Sequence, residues 1–346
     1  MNLSDCERLL IVKPSSLGDI VHTLPAAEAL QRAAPLAKID WLVNTEWSPL
    51  LEGVPFLHRL VTFPRRELRG VAGLWRARAW AARELRPENY DLVVDFQGLF
   101  RSAYLSRRTG APVIAGFERS REGARYFYDR RVAVPDWDRR HAVDRNLDLA
   151  AALGAPVGEP VFSLPAGSAP ASLPPLAGSP VLLHPFSRGE GKSLSPAETL
   201  ALCERLAPHP VLLVGIPDKP VSIAWPAHVV DLLGKTSLAE LIHLLRLAAW
   251  TISVDSGPMH LAAGVSDRVL SIHTWSNPAM VGPRRPGAWI WRDDRLVRVA
   301  DLAVDEFPER RDLAKSFATA ERLLGPGAPA AIAGFVHERL ALSSDA

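Results

Sequence analysis

Short apolar runs alternate with helix-like segments along this chain, and the alternation occurs twice. In the first half, the strand-like runs are residues 9–12, 39–43, 59–63, 91–96 and 113–116. In the second half, they are residues 181–184, 211–215, 229–232, 251–254 and 269–272. The segments with apolar residues at helical spacing are 22–32, 74–85, 144–153, the run from Ser195, and 237–248. Because strands separated by helices form right-handed parallel crossovers, the pattern predicts an α/β fold with a doubly wound sheet in each half.

A segment rich in proline, alanine, glycine and serine, residues 164–180, separates the two alternations. A chain of 346 residues has the length of about two ordinary domains. We therefore predict two Rossmann-like domains, residues 1–165 and 181–328, with a linker at 166–180 and a final helical segment at 329–346. A surface insertion within one domain is the alternative interpretation of the proline-rich segment.

Composition excludes several classes of protein. The net charge of +2 gives no reason to expect a polyelectrolyte partner, and no nucleic-acid-binding module is recognisable. The two cysteines, Cys6 and Cys203, are too few and too far apart for a disulfide framework or a zinc site. Residues 1–8 lack the pattern of a signal peptide, and no apolar run approaches a membrane span. We therefore expect a cytoplasmic protein without a metal site.

The loop after the first predicted strand, Lys13-Pro14-Ser15-Ser16-Leu17-Gly18-Asp19, ends in a carboxylate. It lacks the endings of a Walker loop and of a dinucleotide fingerprint. Gly18 permits close approach of another group, and Asp19 is suited to act as a general base towards a hydroxyl. A helix N-cap is the competing role for Asp19, and spacing alone favours the cap.

Two segments of the second half are suited to bind an anion. A helix that begins near Gly257, with Pro258 in its first turn, presents free N–H groups and its dipole to a phosphate beside Ser256. In the loop at 184–192, Arg188 and Lys192 are placed to neutralise a diphosphate, with Ser187 as a donor. An unliganded helix cap and solvated loop charges are the respective alternatives.

Arginine is concentrated between residues 59 and 145, a segment that contains about twenty arginines and only about eleven acidic residues. Arg65 and Arg66 belong to one cluster, and Arg121 belongs to a second one at 119–131. Such clusters suit an anionic acceptor or an anionic membrane surface, although solvated helix faces account for part of them.

Taken together, these segments resemble the lipopolysaccharide heptosyltransferases of glycosyltransferase family 9. The resemblance covers most of the chain. Its strongest parts are Lys13 to Pro25, Tyr90 to Ser102, His141 to Arg145, Gly234 to Leu241, and Val254 to Ala263.

The resemblance implies a GT-B fold, in which two Rossmann-like doubly wound domains face each other across a cleft and the last helix often returns to the first domain. It implies an inverting, metal-independent transfer of heptose from ADP-heptose to the inner core of lipopolysaccharide, without a cofactor. The implied partners are the nucleotide-sugar donor and the anionic core acceptor. The arginine clusters add a peripheral contact with the inner membrane.

Residue roles follow by position. The resemblance implies that Asp19 is the base and that Lys192 contacts the diphosphate. For Asp19, the role of base now outweighs the role of helix cap. The predicted donor-binding residues are Ser187, Arg188, Thr236, Asp255, Ser256, Gly257 and His260. The predicted acceptor-binding residues are Ser16, Gly18, Arg65, Arg66, Gln97 and Arg121.

Departures from the family pattern lie on the donor side. Residues 193–196 lack the usual Trp-Pro stretch, and residues 272–278 replace a Gly-Pro-Thr-Asp-Pro-like segment by Ile-His-Thr-Trp-Ser-Asn-Pro. A family relative with another nucleotide sugar or acceptor is therefore the main alternative. A GT-B sugar-nucleotide epimerase and a non-catalytic binding protein are less favoured, because the first needs an acid/base pair and the second would not need both Asp19 and Lys192.

Overall fold

The computed structural model describes residues 2–65, 70–171, 173–320 and 322–344. The chain divides into two compact units, Met1–Pro165 and Ala166–Ala346. Each unit contains one predominantly parallel sheet with helices in the connections. Both units are therefore of the α/β class that the alternation of apolar runs predicts.

In the described part of the first unit, six parallel strands lie in the order β3-β2-β1-β4-β5-β6. The strands are β1 (Arg8–Val12), β2 (Lys38–Asn44), β3 (Leu57–Phe63), β4 (Leu92–Asp95), β5 (Val113–Phe117) and β6 (Arg130–Val132). The helices are α1 (Leu17–Ala33), α2 (Gly70–Glu84), α3 (Phe100–Arg108) and α4 (Ala142–Ala152).

In the described part of the second unit, seven strands lie in the order β13-β12-β11-β10-β7-β8-β9, and only the pair β12–β13 is antiparallel. The strands are β7 (Val181–His184), β8 (Val211–Gly215), β9 (Val229–Leu233), β10 (Trp250–Val254), β11 (Val269–Ile272), β12 (Trp289–Arg292) and β13 (Arg295–Arg298). The helices are α5 (Pro196–Arg205), α6 (Leu238–Leu247), α7 (Gly257–Val265), α8 (Pro278–Val281), α9 (Ala314–Thr319) and α10 (Ala328–Ser344).

Strand order creates a topological switch point in each sheet. From β1 the chain continues to β2 on one side, whereas the later strand β4 is added on the other side. The second sheet repeats this arrangement, with β8 and β10 on opposite sides of β7. Because ligands of open α/β sheets bind at the carboxyl ends of the strands beside such a switch point, the loops after β1, β4, β7 and β10 frame the candidate sites.

All ten predicted strands are present, whereas β6 and the hairpin β12–β13 were not predicted. The strand β6 has only three residues, two of them exposed arginines, so it lacks an apolar run. The helix α1 begins at Leu17 rather than at residue 22, because Ser16 caps it. The predicted cap of α5 is confirmed: Ser195 is the N-cap and Glu198 completes a capping box.

The proline-rich segment and the final helix both belong to the second unit. The N–H group of Ser168 donates to the carbonyl of Ala239 at 3.1 Å, which ties the start of the predicted linker to α6. The helix α10 packs against α5, and its Ile332 and Val336 are fully buried in the core of the second unit. Its predicted return to the first domain stays a prediction.

Candidate active site

The N-terminus of α1 carries the predicted base. Asp19 is the third helical residue, and its Oδ2 accepts hydrogen bonds from the backbone N–H and the hydroxyl of Ser16 at 3.0 and 2.7 Å. Ser16, not Asp19, is therefore the N-cap, and Asp19 completes a capping box. Asp19 is nevertheless exposed, so a cap role and contact with a substrate are compatible at one carboxylate.

Packing of α4 against α1 fixes the first turns of the helix that carries Asp19. The side-chain amide of Asn146 donates to the carbonyl of His22 at 3.0 Å and to the hydroxyl of Thr23 at 3.2 Å. The Thr23 hydroxyl in turn donates to the carbonyl of Asp19 at 2.8 Å. The ring of His141, the N-cap of α4, lies edge-on to His22 at 5.7 Å. These contacts connect the predicted 141–145 motif to the base.

Lys13, the residue that follows β1, is a buried cation beside this helix. Its ammonium donates to the carbonyl of Phe96 at 3.1 Å, and only 7% of the residue is exposed. Burial lowers the pKa of Lys13, and the nearby charges of Asp19 and Asp95 oppose that effect. Lys13 thus places a positive charge close to the predicted base, a role that the sequence did not assign to it.

Asp95, at the end of β4, organises the loop on the other side of the switch point. Its carboxylate accepts hydrogen bonds from the N–H groups of Gln97 and Gly98 and from the hydroxyls of Ser102 and Tyr128, at 2.8 to 3.2 Å. Burial raises the pKa of the Asp95 carboxyl, although these hydrogen bonds work against the rise. The network fixes the position of Gln97, whose Oε1 accepts from the N–H of Ser15 at 3.4 Å.

A cavity of about 280 Å³ lies in the first unit, beside this switch point. Its lining includes Ser15, Asn44 and Gln97 from three strand ends, together with the guanidinium-bearing residues Arg65 and Arg101. The structure thus brings the predicted acceptor residues Arg65 and Gln97 together. It adds Arg101 from α3, which sequence reasoning missed although Arg101 lies inside the recognised 90–102 segment.

The remaining predicted acceptor residues are placed less directly. Ser16 and Gly18 form the start of α1, and Arg121 is exposed beside the Gln97 loop, where its N–H donates to the carbonyl of Gly98 at 2.9 Å. None of these three is among the cavity-lining residues in the described part of the chain. Arg66 lies outside the described residues.

In the second unit, buried polar groups meet where β7 and β10 end. The imidazole Nδ1 of His184 lies 3.3 Å from the Ser256 hydroxyl and 3.4 Å from the Ser253 hydroxyl. Burial lowers the pKa of His184 to about 4, so its ring is neutral near pH 7. The helix α7 begins at Gly257, as predicted, and Ser256 is its N-cap, so its N-terminus lies beside these side chains.

The loop after β7 is tied to the end of β10. The hydroxyl of Ser187 donates to the backbone carbonyl of Asp255 at 3.2 Å and accepts from the N–H of Gly189 at 3.1 Å. Ser193 closes the loop by accepting from the N–H of Ser187 at 2.9 Å. These bonds bring Lys192 next to the α7 start, whereas Arg188 of the same loop is exposed.

Lys192 and Asp255 form a largely buried ion pair. The ammonium lies 2.5 Å from Oδ2 of Asp255, which also accepts a hydrogen bond from the hydroxyl of Ser276 at 2.5 Å. Burial by itself would raise the pKa of Asp255, but the interactions with His273, Lys192 and Ser276 lower it to about 2. Asp255 is therefore ionised near pH 7, and Lys192 has a fixed anionic partner.

The loop after β11 supplies residues that the sequence did not assign. The buried ring of His273 lies between the hydroxyls of Ser271 and Ser276, 3.0 Å from each, and burial lowers its pKa to about 4. The fully buried Arg292 donates to the carbonyl of Ser276 at 2.6 Å and so fixes this loop. The sequence signal that could have identified these residues is the polar segment directly after the predicted strand 269–272.

Of the other predicted donor residues, His260 lies close to this site, whereas Thr236 lies farther away. His260 is buried on α7, close enough to His273 to affect its pKa. Thr236 follows β9, and strand order separates β9 from β10 by three inter-strand spacings, about 14 Å. The role of Thr236 in donor binding stays a prediction.

Among the described residues, no cluster of three or more His, Cys, Asp or Glu side chains is arranged to hold a metal ion. Over the same part of the chain, no helix has both the length and the apolar character that a membrane span requires.

A model of glycosyltransferase family 9 (heptosyltransferase) matches residues 78–296, more than half of the chain. The chain belongs to glycosyltransferase family 9. The resemblance noted in the sequence is therefore confirmed.

Relatives of this family-9 glycosyltransferase match over most of their length. Lipopolysaccharide heptosyltransferase 1 of Pseudomonas aeruginosa is 32% identical over 291 residues, covering 80% of this chain and 81% of the relative. Lipopolysaccharide heptosyltransferase 1 of Escherichia coli K12 is 31% identical over 317 residues, covering 86% of this chain and 98% of the relative.

Solved structures of the family share the fold. The heptosyltransferase WaaC of E. coli, solved with ADP, matches with a TM-score of 0.70 and 24% identity over 96% of this chain and 99% of that one. ADP-heptose lipopolysaccharide heptosyltransferase II of E. coli matches with a TM-score of 0.73 and 20% identity, over 98% and 100% of the two chains. The predicted GT-B fold, with two Rossmann-like units, is confirmed.

Proposed function

We propose that this family-9 glycosyltransferase transfers heptose from ADP-heptose to the inner core of lipopolysaccharide, with inversion and without a metal ion. The observation that carries the proposal is the Lys192–Asp255 pair beside the N-terminus of α7 at the switch point of the second sheet. The relatives at 31 and 32% identity are lipopolysaccharide heptosyltransferases, and one solved structure holds ADP. The same observations favour a donor sugar linked to adenosine diphosphate here.

The leaving group is stabilised from the second unit. As the bond between the anomeric carbon and the diphosphate oxygen breaks, the electron pair goes to the diphosphate. Lys192 and the N–H groups at the start of α7 then face the growing negative charge. Asp255 keeps the ammonium in place and, as an anion, favours the positive character that develops on the sugar ring. The sites of charge development thus meet fixed charges of opposite sign.

The acceptor is activated from the first unit. Asp19 takes the proton of the acceptor hydroxyl as the oxygen attacks the anomeric carbon on the face opposite ADP. One carbon–oxygen bond forms while the other breaks, and the proton ends on the carboxylate. Because attack and departure occur on opposite faces, the anomeric configuration inverts.

The cavity of the first unit is proposed to hold the acceptor. Arg65 and Arg101 provide two cations at its wall against the single carboxylate of Glu122, while Gln97 and Asn44 provide neutral hydrogen-bonding groups. This combination suits a sugar that carries an anionic group, since guanidinium groups bind carboxylates and phosphates in a bidentate manner.

The exposed face of α2 is proposed to contact the anionic surface of the inner membrane. Trp75 is 69% exposed, and the guanidinium of Arg78 lies 5.9 Å from its ring, next to the exposed Arg76. Aromatic and basic side chains on one helix face suit an anionic bilayer surface. Co-sedimentation with phosphatidylglycerol vesicles is expected, and it should be lost in the R76E/R78E variant. Equal sedimentation of both proteins would contradict the contact.

The donor-side departures at residues 272–278 favour one second candidate, a transferase of the same family that uses another nucleotide sugar. Trp275 of this segment lies directly beside Lys192, with its ring centre 4.3 Å from the ammonium nitrogen. A panel of nucleotide sugars with the same acceptor separates the two candidates, because only the preferred donor should give turnover at low concentration.

Calorimetric titration with ADP, combined with a transfer assay on ADP-heptose and a Kdo-lipid A acceptor, tests the proposed function. Lys192→Met keeps the length of the side chain but removes its charge, and it should weaken ADP binding by at least about tenfold. The matched control is Lys38→Met, at an exposed lysine at the start of β2 in the first unit. Failure of the wild-type protein to bind ADP, or equal affinity of the two variants, would refute the donor assignment.

A further inference from the structure

Trp275 forms one wall of the space that holds the Lys192 ammonium. The centre of its ring lies 4.3 Å from the ammonium nitrogen, within the range of a cation–π contact. Its indole N–H donates to the backbone carbonyl of Glu190 at 2.9 Å, two residues before Lys192. The backbone of Trp275 is itself fixed, because its carbonyl accepts from the N–H of Arg310 at 2.7 Å.

The loop that carries Lys192 is also fixed at Gly191. The carbonyl of Gly191 accepts a hydrogen bond from the Thr274 hydroxyl at 2.8 Å. Gly191 has a φ of +69°, and a Cβ atom there would lie 2.4 Å from the carbonyl oxygen of Ala314. Backbone from α9 therefore closes one side of the loop, and the segment with Trp275 holds the other.

These contacts address a specific difficulty of lysine as a ligand. A lysine side chain has about 2 kcal/mol of rotamer entropy, so an unsupported ammonium loses part of its binding free energy when it is ordered. Here the Lys192 side chain is 15% exposed, with Asp255 on one side and the Trp275 ring on another. A diphosphate approaching the start of α7 thus meets an ammonium that is already ordered.

We propose that Trp275 is the positioning residue for Lys192: its ring face holds the ammonium, and its indole N–H holds the loop, in the arrangement that binds the diphosphate of the donor. This inference rests on the proposed function, in which Lys192 binds that diphosphate. The aromatic wall belongs to residues 272–278, the segment that departs from the Gly-Pro-Thr-Asp-Pro-like family pattern.

A double-mutant cycle on ADP affinity tests the inference. The variants are Trp275→Leu, Trp275→Phe, Lys192→Met and Lys192→Met combined with Trp275→Leu. Loss of the aromatic face in Trp275→Leu should weaken ADP binding by roughly 3- to 30-fold, the range of a partly desolvated cation–π contact. Trp275→Phe keeps an aromatic face and should lose less. In the Lys192→Met background, Trp275→Leu should cause no further loss. Trp137→Leu, at a half-buried tryptophan of the first unit that also has a guanidinium over its ring, is the matched control.

A spectroscopic measurement keeps the inference testable if Trp275→Leu does not fold. The sequence has six lysines, so the side-chain signals of lysine labelled with carbon-13 can be assigned one by one. The Hε signals of Lys192 should be shifted upfield by the indole ring and should move when ADP is added. In Trp275→Phe, the shift should be smaller but present.

The outcomes separate the inference from the function on which it rests. If Lys192→Met leaves ADP binding unchanged, the donor assignment fails, and the inference fails with it. If Lys192→Met weakens binding but Trp275→Leu adds its full effect in that background, the inference alone is overturned. Equal losses in Trp275→Phe and Trp275→Leu, or Hε signals of Lys192 without an upfield shift, would also overturn it.

Discussion

The ammonium of Lys192 lies 2.5 Å from Oδ2 of Asp255, although 63 residues separate them in the sequence. One belongs to the loop after β7 and the other follows β10, and the two strands are direct neighbours in the sheet. The pair therefore lies at the switch point of the second sheet, where β8 and β10 lie on opposite sides of β7. Neither residue type is unusual by itself, and parallel pairing of the two strands makes them one site.

Replacement of Asp19 by asparagine should separate its two roles. Asparagine can still accept hydrogen bonds from Ser16, so the capping box of α1 should persist, but an amide cannot take the acceptor proton. We expect turnover to fall by at least about 100-fold, with ADP affinity unchanged and the unfolding temperature nearly unchanged. Transfer kinetics, calorimetry and thermal unfolding measure the three quantities. Turnover at the wild-type level would rule out Asp19 as the base.

Arg101 should affect the acceptor but not the donor. It lines the cavity of the first unit together with Arg65, whereas the proposed donor site belongs to the second unit. We expect Arg101→Ala to raise the KM for an anionic acceptor by roughly tenfold, the effect of a lost charged hydrogen bond, and to leave ADP affinity unchanged. Arg83→Ala, at a guanidinium that is 72% exposed on α2, is the control. An unchanged acceptor KM would remove Arg101 from the site.

The free energy of unfolding should decrease between about pH 6.5 and pH 4. The buried ring of His184 has a pKa of about 4, against 6.5 in the unfolded chain, so the unfolded state binds more protons in this window. Its contribution, roughly 3 kcal/mol, is complete above pH 6.5 and is lost as the pH falls towards 4. Asp255, with a pKa of about 2, adds a further loss only below about pH 4. His273 acts in the same direction as His184.

Denaturant unfolding at several pH values measures this dependence. His184→Asn keeps a polar group beside Ser256 but cannot titrate, so its stability should depend less steeply on pH between 6.5 and 4. An identical slope in the wild type and in His184→Asn would show that another group causes the loss.

Removal of the Asn146 side chain should loosen the helix that carries Asp19. The buried amide makes two hydrogen bonds to α1, and their loss leaves the Thr23 hydroxyl and the His22 carbonyl with fewer partners. We expect Asn146→Ala to lower the free energy of unfolding by about 1–3 kcal/mol. It should also reduce turnover more than ADP affinity, because α1 belongs to the first unit. Asn2→Ala, at an exposed residue, is the control. If Asn146→Ala is as stable as the wild type, the hydrogen bonds of Asn146 do not stabilise α1.

Local sequence features predicted the elements that depend on local chemistry. Each predicted strand is a largely apolar run, and most of these runs are buried in the two sheets, whereas β3 and β9 are only partly buried. The cap at Ser195, the helix over 237–248 and the helix start at Gly257 also follow from neighbouring residues. The short strand β6 escaped prediction because two of its three residues are exposed arginines. The strand β12 was missed although Trp289, Ile290 and Trp291 form an apolar run, and the arginine-flanked β13 is a strand through its pairing with β12.

The candidate site was predictable in part, for a related reason. Asp19, Lys192 and Asp255 lie in segments that resemble a family pattern, so their positions in the sequence were sufficient to select them. Trp275 and Ser276 matched no pattern, and nothing local shows that they touch Lys192 and Asp255. Arg101 likewise stands among many arginines, and only the cavity distinguishes it from the others.

By itself, the sequence determined the α/β class, the two-unit organisation and the loops that carry the chemistry. Hydrophobic periodicity and capping residues act over a few neighbours, so they can be read directly along the chain. Tertiary structure decided which loops meet. Strand order made the loops after β7, β10 and β11 adjacent, and it surrounded the Lys192 ammonium with a carboxylate and an indole ring. The environment of the Lys192 ammonium is set by residues at least 63 positions away in the sequence, because contacts across a sheet follow strand order and not sequence distance.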